Sequence, residues 1–461
     1  MNSLKALCCS LALSGLCAGA FALNPIVQTN FSPDPAPMVH NGTLYVYTGD
    51  DIPGTDFYYM TKWRVFSTTD MVNWTNHGVP IALETFSWAR DRGWAAQCVE
   101  RDGKFYWYMC AQSDKNDMSI GVAVADNPAG PFKDALGKPL IQNGSWSNID
   151  PTALVDDDGQ AYLYWGNGGL FGVKLNKDMI SYSGKIDTVP LTVETFGGSR
   201  ANRRQGVENK DMFVEGPWLY KRNNKYYMMF AGMGRGGETL SYSMSDSPTG
   251  PWKYQGKIME GQKTNSFTNH GGIIDYKGQS YLFYHTGLLP GGGSYGRAAC
   301  VEAFTFNADG TIPALSISKE GPKPIGTLNP YKRVEGETMA WSENCTIAQN
   351  ETVGVYVTQV RKKGYIKVAN VAFGDKGPAY FSASLAAGLD GGILEVRLDS
   401  VKGQKVAAIE LPRTGGWDQF KLFKAPVEGK VTGTHDLFLT FMDKNIVAGR
   451  ELFNLDWWQF N

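Results

Sequence analysis

Short apolar and aromatic runs alternate with tight polar turns, and one such arrangement recurs along the first two thirds of the chain. Residues 218–220 and 226–230 are rich in Trp, Tyr, Met and Phe and flank Asn223-Asn224. This pattern predicts two antiparallel strands joined by a turn. Equivalent hairpins are predicted at residues 38–47, 98–109, 153–165, 218–230 and 273–284.

A second strand and turn follow each predicted hairpin, so the repeat unit has roughly four strands over about fifty to sixty-five residues. That period is typical of the blades of a β-propeller. The sequence therefore predicts an all-β fold in which residues 24–317 form a five-bladed β-propeller. Residues 318–330 contain Gly-Pro and Asn-Pro dipeptides and predict a linker. Residues 331–461 lose the repeat and predict a separate β-sandwich of the jelly-roll type.

Ionisable residues occupy the same position in four of the five repeats, seven or eight residues before the hairpin turn. They are Asp34, Asp150, Glu215 and His270, and Ala95 takes this position in the second repeat. Because the innermost strand of every blade lines the central channel, residues at equal phase are expected to meet around the axis. A single Asp before Pro is more often a turn former, but four ionisable residues in phase favour a shared site.

Three carboxyl groups in one site suit the hydrolysis of a glycosidic bond, which needs a carboxylic acid and a second carboxylate. Glu215 lies between apolar neighbours and is the candidate acid, since burial and like charges raise a carboxyl pKa. Asp34 is the candidate base, and Asp150 is expected to orient the acid and raise its pKa. A divalent metal is the competing use of three carboxylates and a histidine, and the two uses are compatible.

Net charge and composition restrict the chemical class of ligand that the protein is expected to bind. The formal net charge of -1 indicates neither a nucleic-acid nor an anionic-membrane partner. The aromatic share of 13% suits an uncharged oligo- or polysaccharide, on which aromatic rings stack. Candidate stacking residues are Trp74, Trp88, Trp94 and Phe267, of which several are expected in the core.

Residues 1–22 combine Lys5, an apolar run and small residues near position 20, the pattern of a secretory signal. This predicts a secreted or periplasmic protein. No later segment has the length and hydrophobicity of a membrane span.

Four cysteines remain after the signal segment: Cys98, Cys110, Cys300 and Cys345. An even number in an exported chain permits disulfides. Strand pairing about Asp102-Gly103, however, places Cys98 opposite Trp107 rather than Cys110, which favours buried free thiols.

The motifs Asp34-Pro35-Ala36-Pro37, Asp150-Pro151-Thr152 and Val214-Glu215-Gly216-Pro217 resemble those of family 43 glycoside hydrolases. Residues 67–74, 156–167 and 266–270 are similar to the β-xylosidase and α-L-arabinofuranosidase branch of that family. The resemblance implies a propeller enzyme that inverts anomeric configuration, with Asp34 as base, Asp150 as pKa modulator and Glu215 as acid.

The same resemblance implies a calcium or similar cation on the propeller axis near His270, and a contact between Arg297 and a substrate hydroxyl. From the sequence alone, a hydrogen-bonded core histidine and a surface arginine are the simpler interpretations. The chain departs from the family at residues 48–51, Thr-Gly-Asp-Asp, where relatives commonly carry Ser-His-Asp-Glu. We expect this difference at the pocket rim.

The C-terminal region resembles a family 6 carbohydrate-binding module through residues 335–337, 370–374, 415–417 and 454–458. The resemblance implies a structural calcium site and a sugar cleft; the respective residues are Glu335, Glu337 and Asp456, and Trp417 and Asn454. A stacking aromatic usually stands two residues before the Asn-Val pair, where this chain has Val368. The module is therefore expected to bind weakly, to use another face or only to support the propeller.

The leading hypothesis is a glycosidase that releases xylose and/or arabinose from xylan- or arabinoxylan-derived oligosaccharides. A non-catalytic sugar-binding propeller, an arabinan-degrading enzyme and a fructan-type hydrolase are the alternatives. Intact Asp34, Asp150 and Glu215 argue against the first, and the absence of a Trp-Met-Asn-Asp-Pro opening argues against the last. The sequence leaves open the sugar preference, exo or endo action and the oligomeric state.

Overall fold

The computed structural model describes residues 24–206, 211–234, 236–445 and 449–461. The predicted signal segment, residues 1–22, lies outside the described residues. Within them the chain is all-β, and its two helices are single turns, α1 (Val193–Phe196) and α2 (Arg200–Arg204). Two 3₁₀ turns lie at Leu83–Thr85 and Gly261–Lys263.

Five antiparallel sheets follow one another along the described part of residues 36–304. The first contains β1 (Ala36–His40), β2 (Thr43–Gly49), β3 (Lys62–Thr68), β4 (Trp74–Asn76) and β5 (Ile81–Ala82). The second contains β6 (Ala89–Asp91), β7 (Ala96–Arg101), β8 (Lys104–Ser113), β9 (Met118–Ala125) and β10 (Lys133–Asp134). The third contains β11 (Thr152–Val155), β12 (Ala161–Trp165), β13 (Leu170–Leu175) and β14 (Tyr182–Val189). The fourth contains β15 (Phe213–Arg222), β16 (Lys225–Gly234), β17 (Gly237–Ser245) and β18 (Lys253–Met259). The fifth contains β19 (Gly272–Tyr276), β20 (Gln279–Thr286) and β21 (Ala298–Phe304).

All five predicted hairpins are confirmed, each as the first long pair of its sheet. In the first, His40 pairs with Thr43 across Asn41-Gly42, and Asn41 and Gly42 have φ of 47° and 74°. Positive φ at both central residues is the geometry that favours Asn-Gly in two-residue hairpins. Around the next turn Cys98 lies opposite Trp107, as predicted, and all four described cysteines are free.

Two further sheets form the β-sandwich of the C-terminal region. The C-terminal strands are β22 (Val334–Glu335), β23 (Thr338–Met339), β24 (Trp341–Glu343), β25 (Thr346–Asn350), β26 (Gly354–Thr358), β27 (Tyr365–Gly374), β28 (Tyr380–Ala386), β29 (Gly392–Leu398), β30 (Lys405–Leu411), β31 (Lys421–Pro426), β32 (Gly433–Asp443) and β33 (Asn454–Phe460). All of them except β23 lie in these two sheets: one has the order β25-β26-β33-β28-β31 with β22 paired to β33, and the other the order β24-β27-β32-β29-β30. A separate cluster of fully buried side chains, including Val368, Phe381 and Trp458, fills the space between them. Alternating burial along β29 shows why one face of each sheet turns inward.

The sandwich is joined to the first propeller sheet by backbone pairing. β23 pairs with β4, with Met339 opposite Trp74. Beside this pair, the Asn73 amide group donates to Ala369 O and accepts from Ala369 N–H, both at 2.8 Å. No helix in the described part of the chain has the length and hydrophobicity to span a membrane.

Candidate active site

The three segments that carry the candidate catalytic residues share one backbone feature. In each, a residue with positive φ is followed by proline. Asp34 and Asp150 have φ of 55° and 58°, and Gly216 has φ of 61°. Asp tolerates this region better than most residues because its short side chain bonds locally. At Gly216 space is also tight, because a Cβ would lie 3.2 Å from the His270 ring, and the ring would have to shift to admit it. Asp34 and Asp150 lie two residues before β1 and β11, whereas Glu215 and Gly216 lie within β15.

These loops meet at one pocket of about 210 Å³. It is lined by Asp34, Phe57, Tyr58, Trp94, Ala95, Trp146, Ile149, Asp150, Asn167, Glu215, Thr268, His270 and Arg297. The structure thus brings together all four ionisable residues that the repeat phase singled out. The lining combines aromatic with charged side chains, a composition typical of a site that orients a small polar ligand.

Three side-chain nitrogen atoms lie near the Asp34 carboxylate. Its Oδ1 lies 3.2 Å from Arg297 Nη1, 3.2 Å from His285 Nδ1 and 3.9 Å from His270 Nδ1. Burial alone raises the pKa of Asp34, but the Arg297 guanidinium and His285 outweigh it and hold that pKa well below its usual range. Asp34 is therefore a carboxylate at any ordinary working pH.

Arg297 is fixed by Asp51, the last residue of the Thr-Gly-Asp-Asp stretch, residues 48–51, that was expected at the pocket rim. Arg297 Nε and Nη2 each donate to Asp51 at 2.9 Å, and the Arg297 backbone N–H donates to Asp51 Oδ2 at 2.9 Å. Its remaining donors contact Asp34, Thr268 and Met60 Sδ. All five guanidinium donors are thus engaged, and Arg297 is 4% exposed. The predicted contact with a substrate hydroxyl must share a donor with one of these groups.

Asp150 and Glu215 form a coupled pair. Asp150 Oδ2 accepts from Gly216 N–H at 3.0 Å, and Asn167 Nδ2 donates to Glu215 Oε2. Burial and the charge of Glu215 raise the pKa of Asp150 well above its usual range. Burial also raises the pKa of Glu215, against the hydrogen bond from Asn167. Two buried neighbouring carboxyls resist being ionised together, so the pair retains a proton to higher pH than an isolated carboxyl.

A bulge presents Glu215 to the pocket. The β15–β16 register shifts on both sides of Glu215, between Phe213 and Trp218, and bulges next to active sites re-aim a side chain. A further buried carboxyl, Glu238 on β17, accepts from Asn269 N–H at 3.2 Å. Burial and the charge of Glu215 raise its pKa well above the usual range. The sequence did not reveal Glu238, because it lies outside the repeat phase; its one signal was a charge in an otherwise uncharged strand.

The predicted stacking aromatics fall into three environments. Trp94 lines the pocket, and its Nε1 donates to Tyr58 O at 2.8 Å. Phe267 is 57% exposed beside Thr268, without lining the pocket. Trp74 is 2% exposed in a core cluster with Phe283, so the structure leaves it no free face for a sugar. Trp146, 49% exposed and at the pocket, was missed by the sequence.

His270 has the chemistry of a metal ligand. Burial lowers its pKa to about 4, so the imidazole is neutral near pH 7 and has a lone pair to give. Nevertheless, no three His, Cys, Asp or Glu side chains of the described ranges are grouped so that they could hold a metal ion. An ion near His270 would therefore need water for most of its ligands.

The three carboxylates predicted to bind calcium in the sandwich surround Arg333. Arg333 Nη2 lies 2.8 Å from Glu335 and 3.3 Å from Asp456. Glu337 Oε2 is buried without a hydrogen-bond partner, and burial and the charge of Glu335 raise the Glu337 pKa well above its usual range. A buried carboxylate oxygen is the ligand chemistry that calcium prefers, but Arg333 pairs with Glu335 and Asp456, and the three carboxylates are not grouped as a metal site in the described residues.

The predicted sugar cleft of the sandwich is narrow. Asn454 Nδ2 donates to Trp417 O at 2.7 Å, and Asn454 is 2% exposed. Trp417 packs against Gly388, where a Cβ would lie 2.5 Å from the indole. Val368 is fully buried in the sandwich core, so it supplies no wall to a cleft.

Comparison with known proteins relates both regions to families. The model for glycosyl hydrolases family 43 matches residues 22–312, and the model for carbohydrate binding module family 6 matches residues 335–461. An arabinoxylan arabinofuranohydrolase of Bacillus subtilis is 30% identical, over 95% of this chain and 92% of its own. A xylosidase/arabinosidase of Bacteroides ovatus is 30% identical over 62% of this chain and 95% of its own.

The solved structures agree with this relation. The crystal structure of a glycoside hydrolase family 43 arabinoxylan arabinofuranohydrolase from Bacillus subtilis, in complex with cellotetraose, superposes with a TM-score of 0.81. It shares 29% identity, with 95% of this chain and 97% of that one covered. The first match covers more than half of the chain, with Asp34, Asp150 and Glu215 inside it. The chain therefore belongs to glycosyl hydrolases family 43 and carries a C-terminal carbohydrate binding module of family 6.

Proposed function

We propose that this protein is an inverting glycoside hydrolase that releases xylose and/or arabinose from xylan- or arabinoxylan-derived oligosaccharides. The observation that carries the proposal is one pocket with two carboxyl groups whose pKa values are shifted in opposite directions. Pairs of titratable groups separated in this way identify base and acid. The relatives named as arabinofuranohydrolase and xylosidase/arabinosidase support the substrate class.

In this proposal Asp34 is the general base. Its low pKa keeps it ionised, ready to take a proton from water as that water attacks the anomeric carbon. Glu215 is the general acid, because its raised pKa keeps the proton that the leaving oxygen needs. Asp150, which is hydrogen-bonded to the backbone next to Glu215, orients the acid and raises its pKa. A pocket of about 210 Å³, below the roughly 300 Å³ at which drug-sized sites begin, favours release of one terminal sugar.

The architecture that goes with this function is a five-bladed propeller, residues 24–317, a linker, residues 318–330, and a module, residues 331–461. Five consecutive antiparallel sheets along the described residues support the blade number, and the two family matches support the division. Limited proteolysis should cut within residues 318–330 and release a sandwich fragment. Cleavage inside the five sheets at a comparable rate would argue against these bounds.

Calcium and export remain proposals. We expect calcium near His270 and at Glu335, Glu337 and Asp456, where it would supply charge to fix the site and would relieve the buried orphan oxygen of Glu337. Chelator-treated protein should then melt at lower temperature and lose activity, and added calcium should restore both. Unchanged melting and activity after chelation would contradict both sites. N-terminal sequencing of the mature protein tests the signal of residues 1–22.

A substrate panel tests the function directly. Nitrophenyl α-L-arabinofuranoside and β-D-xyloside, xylo-oligosaccharides, arabinoxylo-oligosaccharides, linear arabinan and a fructan should be compared at one enzyme concentration. The proposal expects turnover of xylan-derived or arabinoxylan-derived substrates. Binding without turnover would favour the sugar-binding propeller, and preferential cleavage of linear arabinan or fructan would favour the other enzyme classes.

A further inference from the structure

A cationic groove of about 480 Å³ lies on the sheet that carries Glu215. Its lining residues are Arg200, Arg203, Arg204, Met212 and Met233. The three arginines come from α2 at spacing i, i+3 and i+4, so they share one helical face, and all three are exposed. The Met233 N–H donates to Met212 O at 2.9 Å, and Met212 precedes Glu215 by three residues.

No acidic side chain among the described residues lies within ion-pair distance of the guanidinium groups of this cationic groove, those of Arg200, Arg203 and Arg204. Like charges at these helical spacings repel one another and destabilise the helix. The buried Arg297, by contrast, is paired with Asp51. An anionic ligand would remove this repulsion.

We propose that the cationic groove binds the carboxylate of a uronosyl substituent on the main chain of the substrate whose terminal pentose enters the catalytic pocket. This inference rests on the proposed function and narrows its substrate class. The planar guanidinium fork matches a carboxylate with two parallel hydrogen bonds. The Met212 and Met233 side chains offer the adaptable apolar surface against which the carbon face of a sugar ring packs.

The charge of Arg200 links the groove to catalysis. The Arg200 guanidinium has a small effect on Glu215 and lowers the pKa of its carboxyl group. A carboxylate bound at Arg200 would cancel this effect, so the Glu215 pKa would rise. Substrates with a uronosyl substituent should therefore be cleaved up to a higher pH than matched neutral substrates.

The experiment compares two arabinoxylo-oligosaccharides of equal length, one neutral and one with a glucuronosyl substituent. Binding is measured by calorimetry in Glu215→Ala protein, and cleavage in protein with Glu215 intact. We expect the acidic oligosaccharide to bind about ten- to hundredfold more tightly, the range of one or two charge-assisted hydrogen bonds. For each protein, the affinity for the acidic oligosaccharide is divided by the affinity for the neutral one, and likewise for kcat/KM. The double variant Arg203→Gln/Arg204→Gln should lower both ratios about tenfold. The difference in affinity between the acidic and the neutral oligosaccharide should be smaller in about 0.5 M NaCl than at low salt.

Lys402→Gln/Lys405→Gln is the matched control, because it removes two exposed charges of the sandwich, one in the turn before β30 and one at the first residue of β30, and should leave the ratio unchanged. Equal affinity for both oligosaccharides, or an equal ratio in the arginine variant, would overturn the inference. Inhibition by free glucuronic acid as strong as that by the acidic oligosaccharide would reduce the groove to a simple anion site and also overturn it. Failure to cleave either oligosaccharide while the binding difference persists would instead count against the proposed function.

Discussion

Asp34 and Glu215 carry the same functional group, yet their neighbours shift their pKa values in opposite directions. Arg297 and His285 stabilise the charged form of Asp34 against burial, whereas burial dominates at Glu215. Between the two pKa values Asp34 is ionised and Glu215 is protonated. That is the protonation state that an inverting hydrolysis requires at its start.

Removing the acid should separate substrates by leaving group. Glu215→Ala should lower kcat/KM about 10²- to 10⁴-fold on oligosaccharides, whose leaving oxygen needs a proton. The loss should be much smaller on nitrophenyl glycosides, because nitrophenolate leaves without protonation. Steady-state kinetics on both substrates measures the difference.

Asp34→Ala is the matched variant, and its loss should be similar on both substrates because water must still be activated. Added azide should restore part of its turnover by replacing the activated water. Equal losses on both substrates in Glu215→Ala would contradict its assignment as the acid.

Removing the charge of Asp150 should narrow the pH profile. The raised pKa of Glu215 keeps activity until pH rises through that pKa, and a neighbouring negative charge adds to the rise. Asp150→Asn should therefore lower the Glu215 pKa, and the basic limb of kcat/KM should move to lower pH. The acidic limb reports Asp34 and should move much less. A basic limb at the wild-type position would show that Asp150 does not modulate the acid.

The sequence predicted the residues that recur in phase and missed those that act only through tertiary contacts. Asp34, Asp150, Glu215 and His270 were found because each precedes a hairpin at the same distance. Asp51 and Glu238 have no such phase, and their importance arises from burial beside Arg297 and Glu215. Trp74 was predicted to stack on sugar but lies in the core. From sequence, an aromatic residue fits a sugar site and a hydrophobic core equally well, and its packing in the fold distinguishes the two.

Among the elements, short strands at the junction were the least predictable. The hairpins combine runs of apolar residues with turn dipeptides, three of which are Asn-Gly or Asp-Gly, so their existence follows from local sequence. β23 has two residues, too few for any pattern, and exists because β4 offers a free edge. Edge pairing of this kind joins the sandwich to the first sheet.

The Asn73 side chain is the residue on which this junction depends most. Its amide group imitates a backbone group by pairing with both polar atoms of Ala369, and it also donates to Asp70 Oδ2 at 2.7 Å. Asn73→Ala leaves buried backbone groups unsatisfied, at about 1–3 kcal/mol each. We expect the free energy of unfolding to fall by about 2–4 kcal/mol, measured by urea denaturation.

Asn307→Ala is the control, because Asn307 bonds only Thr311 in an exposed turn through its side chain. Its effect should stay below about 1 kcal/mol. If Asn73→Ala and Asn307→Ala are equally stable, the paired amide does not hold the junction.

Across the whole molecule, a propeller-family domain supplies the chemistry and the family 6 module is attached at the first sheet, the one entered directly from Asp34. Asp34 and Asp150 directly precede the first strands of two sheets and Glu215 lies in a third, so the pocket that they line depends on the relative position of these sheets. Their relative position determines on which side of the sugar the water attacks. The stereochemistry of the product therefore reports on the entire arrangement.

The measurement that tests this account most directly is proton NMR of the first sugar released, recorded before mutarotation. If Asp34 activates water on the face opposite the oxygen protonated by Glu215, an α-linked arabinofuranoside should give the β-anomer first, and a β-xyloside the α-anomer. Retained configuration would require a covalent intermediate and would contradict the assignment of Asp34 as base and Glu215 as acid.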